Sequence, residues 1–329
     1  MVLLFCGTAP HRCAESVSSE RKTKMAEKKS NNKKRKNGSQ ASVALVYFIT
    51  FAVMLLLVGG ISLFVMEKFV LKDTSSTVVE SEDTTPKASE NTTQLYLLEN
   101  DRGELEMTMI QRMLPKSKKI VLLPVSKLTA SSSGAAIEKV YSVGGGSAVK
   151  TEFEELFDLK INNYIVLNHE NFENLIDNLA TVSYTVPENM YYLDPNSDDV
   201  INYEEGLEVS LFGSELRLFL TYPEYEDGPS QNIKACGEII SKVINQGLAT
   251  SLTVQNLSST FSTMVKNSDD KDFSLNDFTE RTKELITYIA DNSDEPANYI
   301  TATGSWNADN TLFTVDDTFS EQLKNLFEL

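Results

Sequence analysis

The sequence is poor in cysteine and histidine. Its 329 residues include three cysteines, Cys6, Cys13 and Cys236, and two histidines, His11 and His169. So few cysteines exclude a disulfide framework, because such a framework joins several cysteine pairs within a short chain. Two histidines exclude a histidine-rich metal cluster. The content of 41% hydrophobic and 23% charged residues is instead typical of a globular protein.

Basic residues are also scarce relative to acidic ones. The chain has 30 Lys and Arg against 47 Asp and Glu, a formal net charge of −17. We expect no nucleic-acid partner, because an acidic protein repels the phosphate backbone. The charge is unevenly divided: residues 1–40 carry +7, residues 41–66 carry none and residues 67–329 carry −24.

The uncharged segment predicts a membrane anchor. Residues 41–66 form a run of 26 residues without a polar face, longer than the ~20 needed to cross the hydrocarbon core. No small-residue cleavage site follows it, so we expect a retained signal anchor. The basic residues 28–36 precede the run and should stay in the cytoplasm. The predicted protein is therefore a single-pass type II protein of the cell membrane, with residues 67–329 outside the cell.

Composition divides the chain into five parts. Residues 1–40 are predicted to be a basic cytoplasmic tail, within which Met25 offers an alternative translation start. The predicted anchor at 41–66 is followed by an acidic, Ser/Thr-rich linker at 67–98. Residues 99–246 are predicted to form the core of one external domain, and residues 247–329 its C-terminal part.

Strand and helix patterns alternate beyond the linker. Apolar and polar residues alternate in 105–109, and a short apolar strand follows at 120–123, which together predict a hairpin. Three glycines, Gly144 to Gly146, predict a turn into a helix capped by Ser147. Other segments have helical or strand patterns: helices at 170–179, 214–222 and 235–246, strands at 163–167 and 181–186. The alternation predicts an α/β domain whose sheet is covered by helices.

Familiar enzyme motifs are incomplete. The glycine run lacks the second glycine of a phosphate-binding loop, because Val149 stands at that position. His169 and Glu170 open like a zinc-protease motif but lack the second histidine, so His169 is interpreted as an ordinary strand-end residue. Residues 269–272 lack the glycine and spacing of an EF-hand loop, and we interpret them as a solvated loop.

Residues 135–188 strongly resemble the LytR-CpsA-Psr family. That family has an apolar-Tyr-x-x-Gly-Gly turn, a Tyr-Val-x-Val strand, a Phe-x-x-Leu-Val-Asp segment and a Val-x-Val-Pro close, whose counterparts occur here in the same order. Residues 205–216 are similar to its Gly-x-x-x-Leu-x-Gly-x-x-Ala-Leu stretch. The resemblance implies a signal-anchored ectodomain of the bacterial cell envelope, with a mixed central sheet flanked by helices. Family members transfer glycopolymers such as teichoic acid or capsule from a polyprenyl-pyrophosphate carrier to peptidoglycan.

The sequence departs from the family at the charged positions that carry the family's transfer chemistry. The family's Pro-Arg-Asp-Thr reads Ser126-Lys127-Leu128-Thr129, and its Arg-x-Arg falls on Thr221-Tyr222-Pro223. Its downstream arginines are lost, and Lys234 is the nearest cation. Glu106 stands near the family's early Asp, so the degenerate site would consist of Glu106, Lys127 and Lys234, with any metal at Glu106. Pyrophosphate chemistry favours guanidinium groups and a divalent metal, so the substitutions predict weak catalysis.

Three hypotheses remain. The first is a non-catalytic protein without a cofactor, which binds a lipid-linked or wall glycopolymer or a wall-assembly partner. The second is an active phosphotransferase that uses Mg²⁺ at Glu106 together with Lys127 and Lys234. The third is a sensor or assembly protein that retains no ligand. In the first two, the resemblance implies an apolar slot for a lipid tail, with these candidate residues: Phe153, Leu156, Ile165, Phe172, Leu175 and Ile176.

Overall fold

The computed structural model describes residues 90–193, 199–277 and 281–329. The predicted tail, the anchor at 41–66 and the linker up to residue 89 lie outside these ranges. Within them, no helix has the length and apolar character that a membrane span requires.

A five-stranded mixed sheet forms the centre of the domain. Its strands are β1 (Thr92–Glu99), β2 (Leu105–Leu114), β3 (Lys119–Val125), β4 (Asn163–Leu167) and β9 (Ala297–Tyr299). The order across the sheet is β4-β1-β2-β3-β9. β2 pairs with β1 and with β3 in antiparallel fashion. At the two edges of the sheet, β4 is parallel to β1 and β9 is parallel to β3. The hairpin predicted from residues 105–123 is β2 and β3, and that prediction is confirmed.

The predicted end of the linker at residue 98 is wrong. Residues 92–98 belong to β1, which lies between β4 and β2. Leu95 and Leu97 contact the core on one face of the sheet, and Leu98 contacts the core on the other. A strand buried on both faces has no polar alternation, so its pattern does not separate it from the preceding Ser/Thr-rich residues.

Helices cover both faces of the central sheet, as predicted. One face is covered by α1 (Ile137–Phe157) and α8 (Phe319–Leu326), through a core that includes Phe153 and Phe319. The other face is covered by a larger layer, and a short helical turn, α6 (Leu275–Asp277), precedes its last helix. The helices of this layer are α2 (His169–Leu179), α3 (Gly213–Thr221), α4 (Pro229–Leu248), α5 (Ser251–Asn267) and α7 (Lys283–Asn292).

Within the described residues, three small antiparallel sheets flank this arrangement. They pair β5 (Val182–Thr185) with β8 (Glu208–Leu211), β6 (Met190–Leu193) with β7 (Val200–Tyr203), and β10 (Gly304–Trp306) with β11 (Phe313–Val315). The β6–β7 pair lies against α3. The ring centroids of Tyr203 and Phe219 are 5.0 Å apart, and Tyr192 meets Tyr222 edge-on at 6.4 Å.

The C-terminal residues share the core of the preceding part. Leu257 and Phe261 of α5 and Leu285 of α7 are buried in the same cluster as Phe172 of α2. β9 also extends the central sheet beside β3. Residues 247–329 therefore pack with residues 99–246 around one sheet.

The predicted glycine turn is a kink inside a helix. α1 begins before the glycines, and Gly145 interrupts it with φ of 64°. The N–H of Gly146 donates to Asp270 Oδ2 at 2.7 Å, while Asp270 Oδ1 accepts from the hydroxyl of Tyr164 at 2.7 Å. The acceptor for the N–H at the kink is therefore a carboxylate from a distant loop and not the expected cap, Ser147, whose side chain is exposed.

The acidic run at 269–272 is an irregular segment in which Asp269 and Asp272 are exposed, as expected of a solvated loop, but it also pairs with the sheet. It lies along the edge of β4, where the N–H of Val166 donates to the carbonyl oxygen of Asp270 at 2.9 Å. Asp272 accepts from the N–H of Tyr164 at 2.5 Å and from Lys150 Nζ at 2.6 Å. The sequence pattern did not indicate these partners because they are more than 100 residues away.

Candidate functional site

An apolar cavity of about 110 Å³ lies between the central sheet and the larger helical layer. β2 contributes Met107 and Met109, which point to the same face because strand side chains alternate. α2 contributes Phe172, Leu175 and Ile176, whose spacing of three and four residues places them on one helical face. Residues of α4 and α5 close the cavity: Ile240, Val243, Ile244, Leu248, Leu257 and Phe261.

A polar pocket of about 240 Å³ adjoins the cavity. Met107 lines both spaces, so the two are neighbours that share one side chain. The polar pocket is formed where β2 begins, β3 ends and α4 begins. Its polar lining comes from these elements and from the end of α3: Glu106, Thr108, Ser126, Lys127, Thr221, Tyr222 and Asn232.

The pocket carries little positive charge. Lys127 is the one Lys or Arg among the described residues that line it. The first turn of α4, with Gly228 and Pro229, adds the partial positive charge of a helix N-terminus. Glu106 opposes both, and its Oε2 lies 2.8 Å from Nε2 of His169. His169 is thus the partner of a pocket carboxylate, a role that its interpretation as an ordinary strand-end residue did not include.

Two of the three predicted head-group residues come together. Glu106 and Lys127 line the same pocket, although they belong to different parts of the hairpin. Lys234 belongs to the first part of α4, but its side chain is exposed and does not line the pocket. The helical period explains the difference, because Ile233 and Cys236 take the positions on α4 that face the pocket.

The six predicted lipid-binding residues are divided by the sheet. Phe172, Leu175 and Ile176 line the apolar cavity. Ile165 packs in the same core but lines a separate small space beside Phe273. The other two, Phe153 and Leu156, belong to α1 and pack in the core on the opposite face of the sheet. They do not line the cavity, because α1 and α2 cover different faces.

Asn232 and Cys236 were not among the predicted site residues. The amide of Asn232 donates to the carbonyl oxygen of Leu220 at 2.7 Å, which ties the start of α4 to the end of α3. Cys236 is 3% exposed, and burial raises the pKa of its thiol to about 12. The thiol is therefore protonated at neutral pH and is a poor nucleophile. In the sequence, the one indication that this region belongs to the site was the loss of the family's arginines at residues 221–223 and further downstream.

Two arginines of the domain are buried away from the pocket. Nε of Arg112 donates to the carbonyl oxygen of Phe327 at 2.9 Å, and another guanidinium nitrogen donates to Oγ1 of Thr93 at 2.6 Å. Arg217 pairs with Glu173 at 2.6 Å and with Asp199 at 3.1 Å. Both guanidinium groups stabilise the packing of the domain and do not line the polar pocket.

Residues 100–327 match the LytR_cpsA_psr family, so the chain belongs to the LytR-CpsA-Psr family. No curated protein matches it in sequence. Among solved structures, a protein described as a transcription regulator from Eubacterium siraeum is similar, with a TM-score of 0.66 and 18% identity over 78% of this chain and 99% of its own. TagV from B. subtilis has a TM-score of 0.59 and 18% identity over 73% and 96% of the two chains. TagT bound to LIIa-WTA has a TM-score of 0.55 and 16% identity over 78% and 96%. At these identities the likeness shows a common fold.

Proposed function

We propose that this protein binds a lipid-linked or wall glycopolymer, or a wall-assembly partner, at the bacterial cell surface without transferring it. The observation that carries the proposal is the position of an apolar cavity beside a polar pocket, with Met107 in the lining of both and one lysine in the lining of the polar pocket. Family membership and the similarity to TagT bound to LIIa-WTA support a ligand of the glycopolymer class.

The apolar cavity suits the first part of a lipid tail. An apolar cavity of roughly 150 Å³ binds a benzene molecule. The cavity of about 110 Å³ therefore holds a group no larger than one isoprene unit in its present shape. A longer tail would require α2, α4 and α5 to separate, or would remain in the membrane.

The polar pocket suits binding of a phosphate head group better than its reaction. Lys127 offers a charged donor to a phosphate oxygen, and the start of α4 adds the partial positive charge of a helix N-terminus. Loss of one preorganised electrostatic donor commonly costs ~3 kcal/mol of transition-state stabilisation. Lys127 is a point charge without the fork of a guanidinium, and Glu106 repels an anion, so affinity should persist while catalysis is lost.

The alternative is an active phosphotransferase that uses Lys127, Lys234 and Mg²⁺ at Glu106. It is favoured by the meeting of Glu106 and Lys127 in one pocket. It is disfavoured because Lys234 does not line that pocket. It is also disfavoured because Oε2 of Glu106, the proposed metal ligand, already contacts Nε2 of His169. No group of three or more His, Cys, Asp or Glu in the described part of the chain is placed to hold a metal.

The location of the protein is part of the proposal. The uncharged residues 41–66 and the net charge of +7 on residues 1–40 support a type II membrane anchor with the domain outside the cell. Protease added to intact cells should then digest residues 67–329. Protection until lysis would reverse the proposed orientation.

Matched substitutions on the two faces of the sheet test the binding proposal. Ile240→Phe fills the apolar cavity, whereas Val140→Phe adds the same ring to a partly buried position in the opposite core. The probe is fluorescent farnesyl phosphate, titrated against the full chain in neutral-lipid nanodiscs. Ile240→Phe should weaken binding about tenfold, a change of ~1.4 kcal/mol, and Val140→Phe should leave it unchanged. Equal effects, or no binding by the wild type, would contradict the proposed ligand site.

A further inference from the structure

Glu188 is a buried carboxylate held by neutral donors. It follows β5 and is 5% exposed. Oε1 accepts from the N–H of Glu226 at 2.9 Å, and Oε2 accepts from Nε2 of Gln231 at 2.5 Å. None of the ion pairs of the described residues includes Glu188. A buried carboxylate is unfavourable unless hydrogen bonds replace its water, so these two contacts stabilise its position.

Both donors lie between the end of α3 and the first turn of α4. Gln231 also accepts from the N–H of Asp227 through Oε1 at 2.9 Å, so its amide joins Glu188 to this segment. Residues 221–223 and 228–229 at the two ends of the segment line the polar pocket, as does Asn232. The segment thus forms one wall of the pocket, and Glu188, which does not line the pocket, supports that wall from behind.

We infer that Glu188 is a positioning residue, which fixes the segment between α3 and α4 as a wall of the polar pocket. A wall that is already ordered binds a ligand without losing further conformational entropy. The part of the inference that concerns the ligand rests on the proposed function. The part that concerns the wall depends only on the contacts of Glu188.

A charge-preserving exchange of the two side chains provides the test. In Glu188→Gln, the new amide can accept from the N–H of Glu226 only by turning its NH₂ group toward the NH₂ group of Gln231. In Gln231→Glu, two carboxylates face each other. The double variant, which combines Glu188→Gln with Gln231→Glu, reverses the pair. The amide then donates to the carboxylate, and the N–H groups of Glu226 and Asp227 keep their acceptors. The net charge of the protein is also unchanged.

Hydrogen exchange and farnesyl phosphate binding are measured on the full chain in all four forms. In each single variant, amide exchange of residues 224–232 should rise about tenfold and affinity should fall about tenfold, as expected for loss of a buried charged hydrogen bond. Exchange of α1 should not change, since α1 lies across the sheet. The double variant should recover both properties. Rescue shows that the losses come from this pair, and the unchanged exchange of α1 distinguishes local positioning from a general loss of stability.

Two results would overturn the inference. One is unchanged exchange of residues 224–232 in Glu188→Gln. The other is a double variant that exchanges as fast as the single variants. If the wild type does not bind farnesyl phosphate, the proposed function fails, and the exchange data alone still decide whether Glu188 holds the wall.

Discussion

Nε2 of His169 lies 2.8 Å from Oε2 of Glu106, so the first residue of α2 contacts the carboxylate of the polar pocket. Both side chains are about four-fifths buried, with relative exposures of 18% and 20%. Asn168 caps α2 by accepting from the N–H of Asn171 at 2.9 Å, which fixes the start of the helix. The pocket carboxylate is therefore held by the same helix that supplies Phe172 and Leu175 to the apolar cavity.

Removal of the Glu106 charge should strengthen binding of an anionic head group. In Glu106→Gln the repulsion is lost and Lys127 remains, so affinity for farnesyl phosphate should rise several-fold, by about 1 kcal/mol. The matched control is Glu155→Gln, an exposed position on α1. Titration of the three proteins at one ionic strength gives the comparison. A fall in affinity in Glu106→Gln would indicate that this carboxylate serves the ligand or a metal, as the phosphotransferase alternative requires.

Arg112 should contribute strongly to stability. Its guanidinium joins β2 to β1 and to the end of α8 through Thr93 and Phe327. Arg112→Met should lower the free energy of unfolding by ~2–4 kcal/mol, because buried acceptors lose a charged donor. Arg102→Met makes the same change at an exposed ion pair with Glu104 and should lower it by less than ~1 kcal/mol. Urea unfolding measures both, and equal losses would refute the role given to Arg112.

The kink in α1 should reject a side chain at Gly145. A Cβ there would lie 2.8 Å from Asp270 Oδ2, and φ is positive. Gly134 also has positive φ, but a Cβ at that position would meet no atom within 4 Å, so it isolates the backbone contribution. Gly134→Ala should destabilise the protein by ~1–2 kcal/mol, and Gly145→Ala by more. Thermal unfolding compares them; a smaller loss at Gly145 would show that the loop of Asp270 moves aside without penalty.

Stability should fall at alkaline pH. Burial raises the pKa of Cys236 from 9.0 to about 12 and that of Tyr184 from 10.0 to about 12. Below pH 9 both groups are protonated in the folded and unfolded chains. The unfolded chain releases the Cys236 proton first between pH 9 and 12, and the Tyr184 proton first between pH 10 and 12. Each group then lowers the free energy of unfolding by ~1.4 kcal/mol per pH unit. Cys236→Ser should reduce that slope, and an unchanged slope would refute the burial argument.

Apolar patterns predicted several elements of the domain. The hairpin of β2 and β3, the strand β4 and the helices α2 and α3 lie where their patterns placed them, and α4 contains the predicted segment 235–246 but begins at Pro229. β1 is buried on both faces and was assigned to the linker. α5 was not predicted, because its many Ser and Thr residues have low helix propensity; packing of Leu257 and Phe261 offsets that deficit.

The sequence predicted members of the site more readily than their arrangement. Glu106 and Lys127 meet in one pocket, but the faces occupied by Phe153 and Phe172 depend on how the helices cross the sheet. Family resemblance made both phenylalanines candidates for one slot. Glu188 gave no signal, since its importance comes from partners about 40 residues away in the chain.

A transfer assay tests the central claim most directly. The full chain is incubated with lipid-linked glycopolymer, peptidoglycan and Mg²⁺, beside an active member of the family. We expect the ligand to bind and no polymer to become attached to peptidoglycan above the rate without protein. Turnover that depends on Mg²⁺ and is lost in Lys127→Ala would contradict the account and establish the phosphotransferase alternative.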